Sequence, residues 1–153
     1  MQAAETLHLP SHITTEADYQ LLLEDAEKIS HFDQVLFVDA ALQGETPYTI
    51  AEVQPQPATS FSSHSASPGQ LLELASQLFG ANPRCWTLGI RGYVFDEFSE
   101  EISSQAAGNL RQALDDFKSW LLTSPADLSP WMCSNSHETI RTTSTIPTSH
   151  QHC

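Results

Sequence analysis

Polar and apolar positions alternate between helical and extended patterns along the chain. Thr15, with Asp18 three positions later, makes a capping-box-like start, and Tyr19, Leu22, Leu23, Ala26 and Ile29 then recur at helical spacing. This predicts an amphipathic helix over residues 16–30. Gln34-Val35-Leu36-Phe37-Val38-Asp39-Ala40-Ala41 follows, with four consecutive β-forming apolar residues running straight into one carboxylate. An unbroken apolar run of this kind predicts a central parallel strand covered on both faces. Gly44-Glu45-Thr46-Pro47 marks a turn, and residues 48–53 alternate as a strand nearer an edge.

Residues 54–63, with two prolines and several hydroxyls, read as a loop. Ser67 then stands as a helix N-cap with Pro68 at the first helical position. Leu71, Leu72, Ala75, Leu78 and Phe79 line one face before Gly80 closes the helix. Cys85-Trp86-Thr87-Leu88-Gly89-Ile90 predicts another strand, ended by Arg91-Gly92, and an acidic, aromatic-bearing connection follows. A last helix begins at Ser103 or Ser104 and keeps the 3.6-residue period through Ala106, Leu110, Ala113, Leu114, Phe117 and Leu121. Its other face carries Arg111, Asp115 and Lys118.

Helix-then-strand order is what a parallel α/β sheet requires, so the expected fold is α/β, a three-layer sheet with flanking helices, over residues 1–122. Beyond Leu122 the chain turns rich in Ser, Thr and Pro with scattered apolar residues, which predicts a mostly disordered tail over residues 123–153. A length of 153 residues and 40% hydrophobic content suit one domain with a core.

Charge narrows the partners. Nineteen acidic against six basic residues give a formal net charge of -13, which repels nucleic-acid phosphates and anionic lipid surfaces. No apolar run approaches the roughly 18 residues that predict a membrane span, and no Lys or Arg precedes Lys28 as a secretory leader would require. The expectation is a cytoplasmic protein that binds neither nucleic acid nor membrane. Cys85, Cys133 and Cys153 are odd in number, widely spaced and without a C-x-x-C, so neither a disulfide framework nor a zinc knuckle is indicated.

Two residues stand out as candidate chemistry. Asp39 ends an apolar strand, and in open α/β sheets ligands bind at the carboxyl ends of strands. A carboxylate there either binds something or accepts nearby donors, since burying it alone is costly. His64, in Ser62-Ser63-His64-Ser65-Ala66-Ser67-Pro68, lies in a loop before a strong helix start. An acid and an imidazole converging at one end of a sheet are donors suited to zinc or nickel, although an open metal site usually holds three protein ligands. The serines around His64 lack a G-x-S-x-G elbow and read as loop and cap residues. Cys85 reads as a core thiol. Gly89 and Gly92 lack a G-x-G-x-x-G fingerprint and read as strand-end turn glycines. Arg91 suits a structural ion pair better than a substrate carboxylate.

The succession Phe37-Val38-Asp39-Ala40, Ser63-His64-Ser65-Ala66-Ser67-Pro68 before a Leu-rich helix, Leu88-Gly89-Ile90-Arg91-Gly92-Tyr93 and a final Ser-initiated helix resembles the hydrogenase maturation endopeptidases, over roughly residues 7–122. The resemblance implies a protease that removes the C-terminal extension from the large-subunit precursor of nickel-iron hydrogenases after nickel insertion. It further implies recognition through the nickel that this substrate carries, with Asp39 and His64 as metal ligands. The family opens with a strand and a G-x-G-N loop that supplies a further acid. No such stretch precedes Leu7, so the expected domain is N-terminally incomplete. The alternative expectation is a non-catalytic remnant or binding module of the same fold, lacking the first metal ligand.

Overall fold

The structure is a computed structural model that describes residues 9–57, 65–93 and 102–123. Its elements are α1 (Asp25–Ile29), β1 (Gln34–Ala41), β2 (Tyr48–Glu52), α2 (Pro68–Phe79), β3 (Arg84–Arg91) and α3 (Ser104–Thr123). The three strands form a mixed sheet in the order β1-β3-β2. β1 runs parallel to β3 over its full length, from Gln34 opposite Arg84 to Ala41 opposite Arg91. β2 runs antiparallel to β3, with Tyr48 opposite Ile90 and Glu52 opposite Trp86.

The central strand is therefore β3, and the expectation that residues 35–38 are central is corrected: among the described residues β1 is an edge strand. Val38 is 57% exposed and Asp39 is exposed. The reason lies in where the helices pack. Val35 and Phe37 pack against a cluster built on Ala26, Ile29, Leu71 and Ala75 from α1 and α2. Alternate residues face the other way, where Tyr48, Trp86 and Leu88 are buried with Ala113 and Trp120 of α3, and Leu36, Ile50 and Ile90 join them. Helix α3 lies over β3, so Val38, two residues beyond Leu36 on that face, extends past its cover. An apolar run can thus belong to a half-covered edge as well as to a buried centre. β2 takes the edge position expected of residues 48–53.

The capping signals of the two long helices act as read. The Ser67 hydroxyl accepts the Gln70 N–H at 3.3 Å while the Gln70 side chain accepts the Ser67 N–H at 2.9 Å. Gly80 closes α2 at φ +65°, a left-handed conformation that costs glycine little. Ser103 Oγ accepts the Ala106 N–H at 3.2 Å at the start of α3. Arg111, Asp115 and Lys118 lie on the exposed side of α3.

The first helix is much shorter than expected: only Asp25–Ile29 is helical, and residues 9–24 hold no regular helix. Asp18 is drawn instead toward Lys28, together with Glu16, and Tyr19 is fully exposed. The apolar period is kept only where Ala26 and Ile29 reach the α2 surface. A side-chain network that includes Asp18, the acid of the expected cap, has replaced the first turns.

Gly69, buried in the first turn of α2, is required by a close approach. A Cβ there would lie 2.7 Å from the Gln54 carbonyl oxygen and 2.8 Å from Gln56 Cγ, and Gln56 N–H donates to the Gly69 carbonyl at 2.9 Å. Gly69→Ala is expected to destabilise the fold by about 1–3 kcal/mol through this clash. Gly108→Ala, in α3 where a Cβ meets nothing within 4 Å, should instead stabilise by about 0.5–1 kcal/mol through helix propensity. Urea unfolding of the two variants should shift in opposite directions.

Candidate functional site

At the carboxyl end of β1, Asp39 stands opposite Gly89 of β3, and Gly89 stands opposite Thr49 of β2. A carboxylate and a hydroxyl thus flank a glycine in one row across all three strands. The missing side chain at Gly89 has a packing reason: a Cβ there would come within 3.1 Å of Thr49 Oγ1 and 3.2 Å of the Ala41 Cβ. Gly89 is accordingly a close-contact residue inside the strand and not a turn glycine. Gly92 does follow the strand end, where its N–H donates to the Ala41 carbonyl at 2.9 Å.

Asp39 Oδ1 accepts the N–H of Ala40, its own neighbour, at 2.7 Å. Exposure removes the desolvation cost of the charge, and the second carboxylate oxygen has no protein partner among the described residues. The side chain is therefore able to reach a ligand from solvent, and also sufficient as a local brace for the strand end. His64 lies outside the described residues. Its described flank is held by the Ala66 N–H donating to the Leu21 carbonyl at 2.9 Å and by Gly69 against Gln56. Gln56 follows Val53, whose N–H bonds the Cys85 carbonyl near the amino end of β3. No described contact joins this flank to Asp39.

Arg91 does not make the ion pair expected of it among the described residues. Its guanidinium carbon lies 5.4 Å from the centre of the Tyr93 ring, a cation–π arrangement. Cys85 is buried as expected of a core thiol, and burial pushes its pKa up to about 11.

Among the described residues, one group of acids converges as metal ligands would: Glu16, Asp18 and Asp25. Lys28 already occupies its centre. The ammonium lies 2.8 Å from Asp25 Oδ1 and 3.8 Å from Asp18 Oδ2, and it donates a short hydrogen bond to Glu16. Burial alone would raise the Asp25 pKa, but the Leu22 N–H at 2.8 Å and the hydrogen bond and charge of Lys28 outweigh it and hold the carboxyl below its ordinary value. These carboxylates are a structural clamp on the entry to α1.

A second arrangement was not read from the sequence. Thr46, Pro47, Tyr48, Gly108, Asn109, Gln112 and Asp116 line a cavity of about 460 Å³ between the start of β2 and α3. The buried Tyr48 hydroxyl donates to Asp116 Oδ2 at 2.6 Å, and Gln112 Nε2 donates to Asp116 Oδ1 at 3.0 Å. Burial first, then the hydrogen bond and charge of Asp116, push the Tyr48 phenol above its ordinary pKa and keep it a donor. The contact joins residues 68 apart, so no local pattern announces it. The polar positions 109, 112 and 116 along one helical side were the only available signal.

The chain matches no protein-family model, no curated protein and no solved structure. No helix among the described residues is long and apolar enough to cross a membrane.

Asp25→Asn is expected to cost about 1–3 kcal/mol at neutral pH, because it removes a carboxylate that accepts a backbone N–H and pairs with Lys28. A carboxyl whose folded pKa is depressed stabilises above its unfolded value. The difference between wild type and variant should therefore shrink as pH falls from the ordinary value of 3.8 through the lower folded one. Urea titrations across that range measure it. Cys85 should resist iodoacetamide at mildly alkaline pH until denaturant is added, as peptide mapping by mass spectrometry would show.

Proposed function

We propose that the chain acts on the nickel-bearing large-subunit precursor of a nickel-iron hydrogenase, as an endopeptidase that removes its C-terminal extension. The proposal rests on the sequence resemblance. The structural observation that supports it is the exposed Asp39 carboxylate at the carboxyl end of a parallel strand, with one oxygen lacking a protein partner among the described residues. Asp39 and His64 are assigned as ligands to the nickel held by the substrate. That metal would polarise the carbonyl next to the bond to be cut, while the protein's two side chains fix the precursor in place. The three-layer arrangement implied by the resemblance agrees with helices packed on both faces of the sheet.

A second reading is favoured by one specific observation. Among the described residues β1 is an edge, and Asp39 belongs to no group of three converging ligands. A chain that supplies only part of the ligand set would capture the precursor without cleaving it, as a binding module.

Incubation of the full chain with the nickel-loaded precursor, followed by intact-mass spectrometry, tests both readings. The endopeptidase reading expects loss of the C-terminal extension, and Asp39→Asn or His64→Ala should leave the precursor at full length. Normal processing by both variants would overturn the ligand assignment. Precursor bound but never shortened by wild type would instead support the binding module.

A further inference from the structure

We infer that the cavity between β2 and α3 is a binding site for a guanidinium group, presented as an arginine side chain of a polypeptide partner. The inference does not depend on the function proposed above. It rests on how the lining groups have spent their hydrogen-bonding capacity. Asn109 directs its amide nitrogen to the Arg91 carbonyl at 2.9 Å and to the Tyr93 hydroxyl at 3.3 Å. Gln112 directs its amide nitrogen to Asp116. Two of these partners, a carbonyl and a carboxylate, can only accept, so both amides are oriented by chemistry with nitrogen inward. Tyr48 likewise donates its proton to Asp116.

Beyond the Thr46 hydroxyl and the second Gln112 amide hydrogen, what remains is acceptors: the Asn109 and Gln112 side-chain oxygens and the spare lone pairs of the half-buried Asp116 carboxylate. Among the described residues, Asp116 is the only charged one in the lining, and no Lys or Arg lines the cavity. The positive end of the α3 dipole acts within its first turn, whereas Gly108, Asn109, Gln112 and Asp116 lie beyond it. A carboxylate or phosphate would find repulsion and few donors. A planar cation with five N–H donors fits an acceptor-lined recess with one carboxylate. The volume of about 460 Å³ exceeds one side chain and leaves room for the flanking main chain.

Titration of the full chain with Nα-acetylarginine methylamide, followed by NMR of the Asn109 and Gln112 side-chain amides, tests the site. Saturable shifts of these amides are expected, with the neutral citrulline counterpart binding about tenfold or more weakly. Gln112→Lys places an ammonium four residues from Asp116, fills the recess from within, and should abolish the shifts while leaving the thermal unfolding midpoint near wild type. Asp116→Asn should weaken binding about tenfold. Agmatine separates the sources: tighter binding of agmatine than of the acetylated arginine would overturn a polypeptide partner in favour of a free amine. Equal binding of the citrulline counterpart, or binding indifferent to both substitutions, would overturn the site.

Discussion

The fold hangs on β3. Among the described strands it alone is hydrogen-bonded on both sides, in parallel to β1 and in antiparallel to β2, and it carries Trp86 and Leu88 into the α3 cluster. Its Cys85 is buried, and the Cys85 carbonyl also receives the chain leaving β2. Because every strand pairing passes through β3, a lesion there loosens both edges at once, whereas a lesion in β1 or β2 removes one ladder. The two faces are less equal. On one, α1 and α2 pack through Ala26, Ile29, Leu71 and Ala75; on the other a single long helix covers only part of the sheet.

Local chemistry made part of this legible in the sequence. Ser67, Pro68 and Gly80 bound α2 because a cap, a fixed φ and a left-handed residue act within a few positions of themselves. The strand at residues 85–90 and the 3.6-residue period of α3 were likewise visible. The position of a strand in its sheet was not: Val35, Leu36, Phe37 and Val38 are equally apolar whether the strand lies inside or at an edge, and only the reach of α3 decides. The entry helix failed for a different reason. Its acids and its lone lysine satisfy one another across the chain, and that competes with helical capping. Asp39 was legible as a strand-end acid, though its exposure was not, and the Tyr48 to Asp116 contact depends on tertiary closure that no short motif records.

Basic groups are scarce, and three of the five in the described residues are engaged; Arg111 and Lys118 lie on the exposed side of α3. Lys28 is held among three carboxylates, Arg84 lies between Glu52 at 3.9 Å and the Trp86 ring at 4.9 Å, and Arg91 rests on Tyr93. Arg84 and Arg91 thus frame the two ends of β3, and Lys28 the entry to α1. The acidic remainder, with a net charge of -13, is left to be met from outside. That imbalance gives meaning to a recess lined by acceptors, and it favours encounters with basic surfaces at low ionic strength, where screening is weakest.

Asp39 has one further consequence. It is the only charged residue in β1, a strand whose other side chains are apolar except for Gln34, and whose outer edge has no partner among the described residues. On such an edge a single buriable-looking but solvated charge is a gatekeeper, because pairing two edges would strip its water. The residue proposed as a ligand thus also sets a charge against edge-to-edge pairing of β1. Neutralising it would alter the edge and the proposed ligand together, so an Asp39 variant is best compared with wild type at matched protein concentration and state of association.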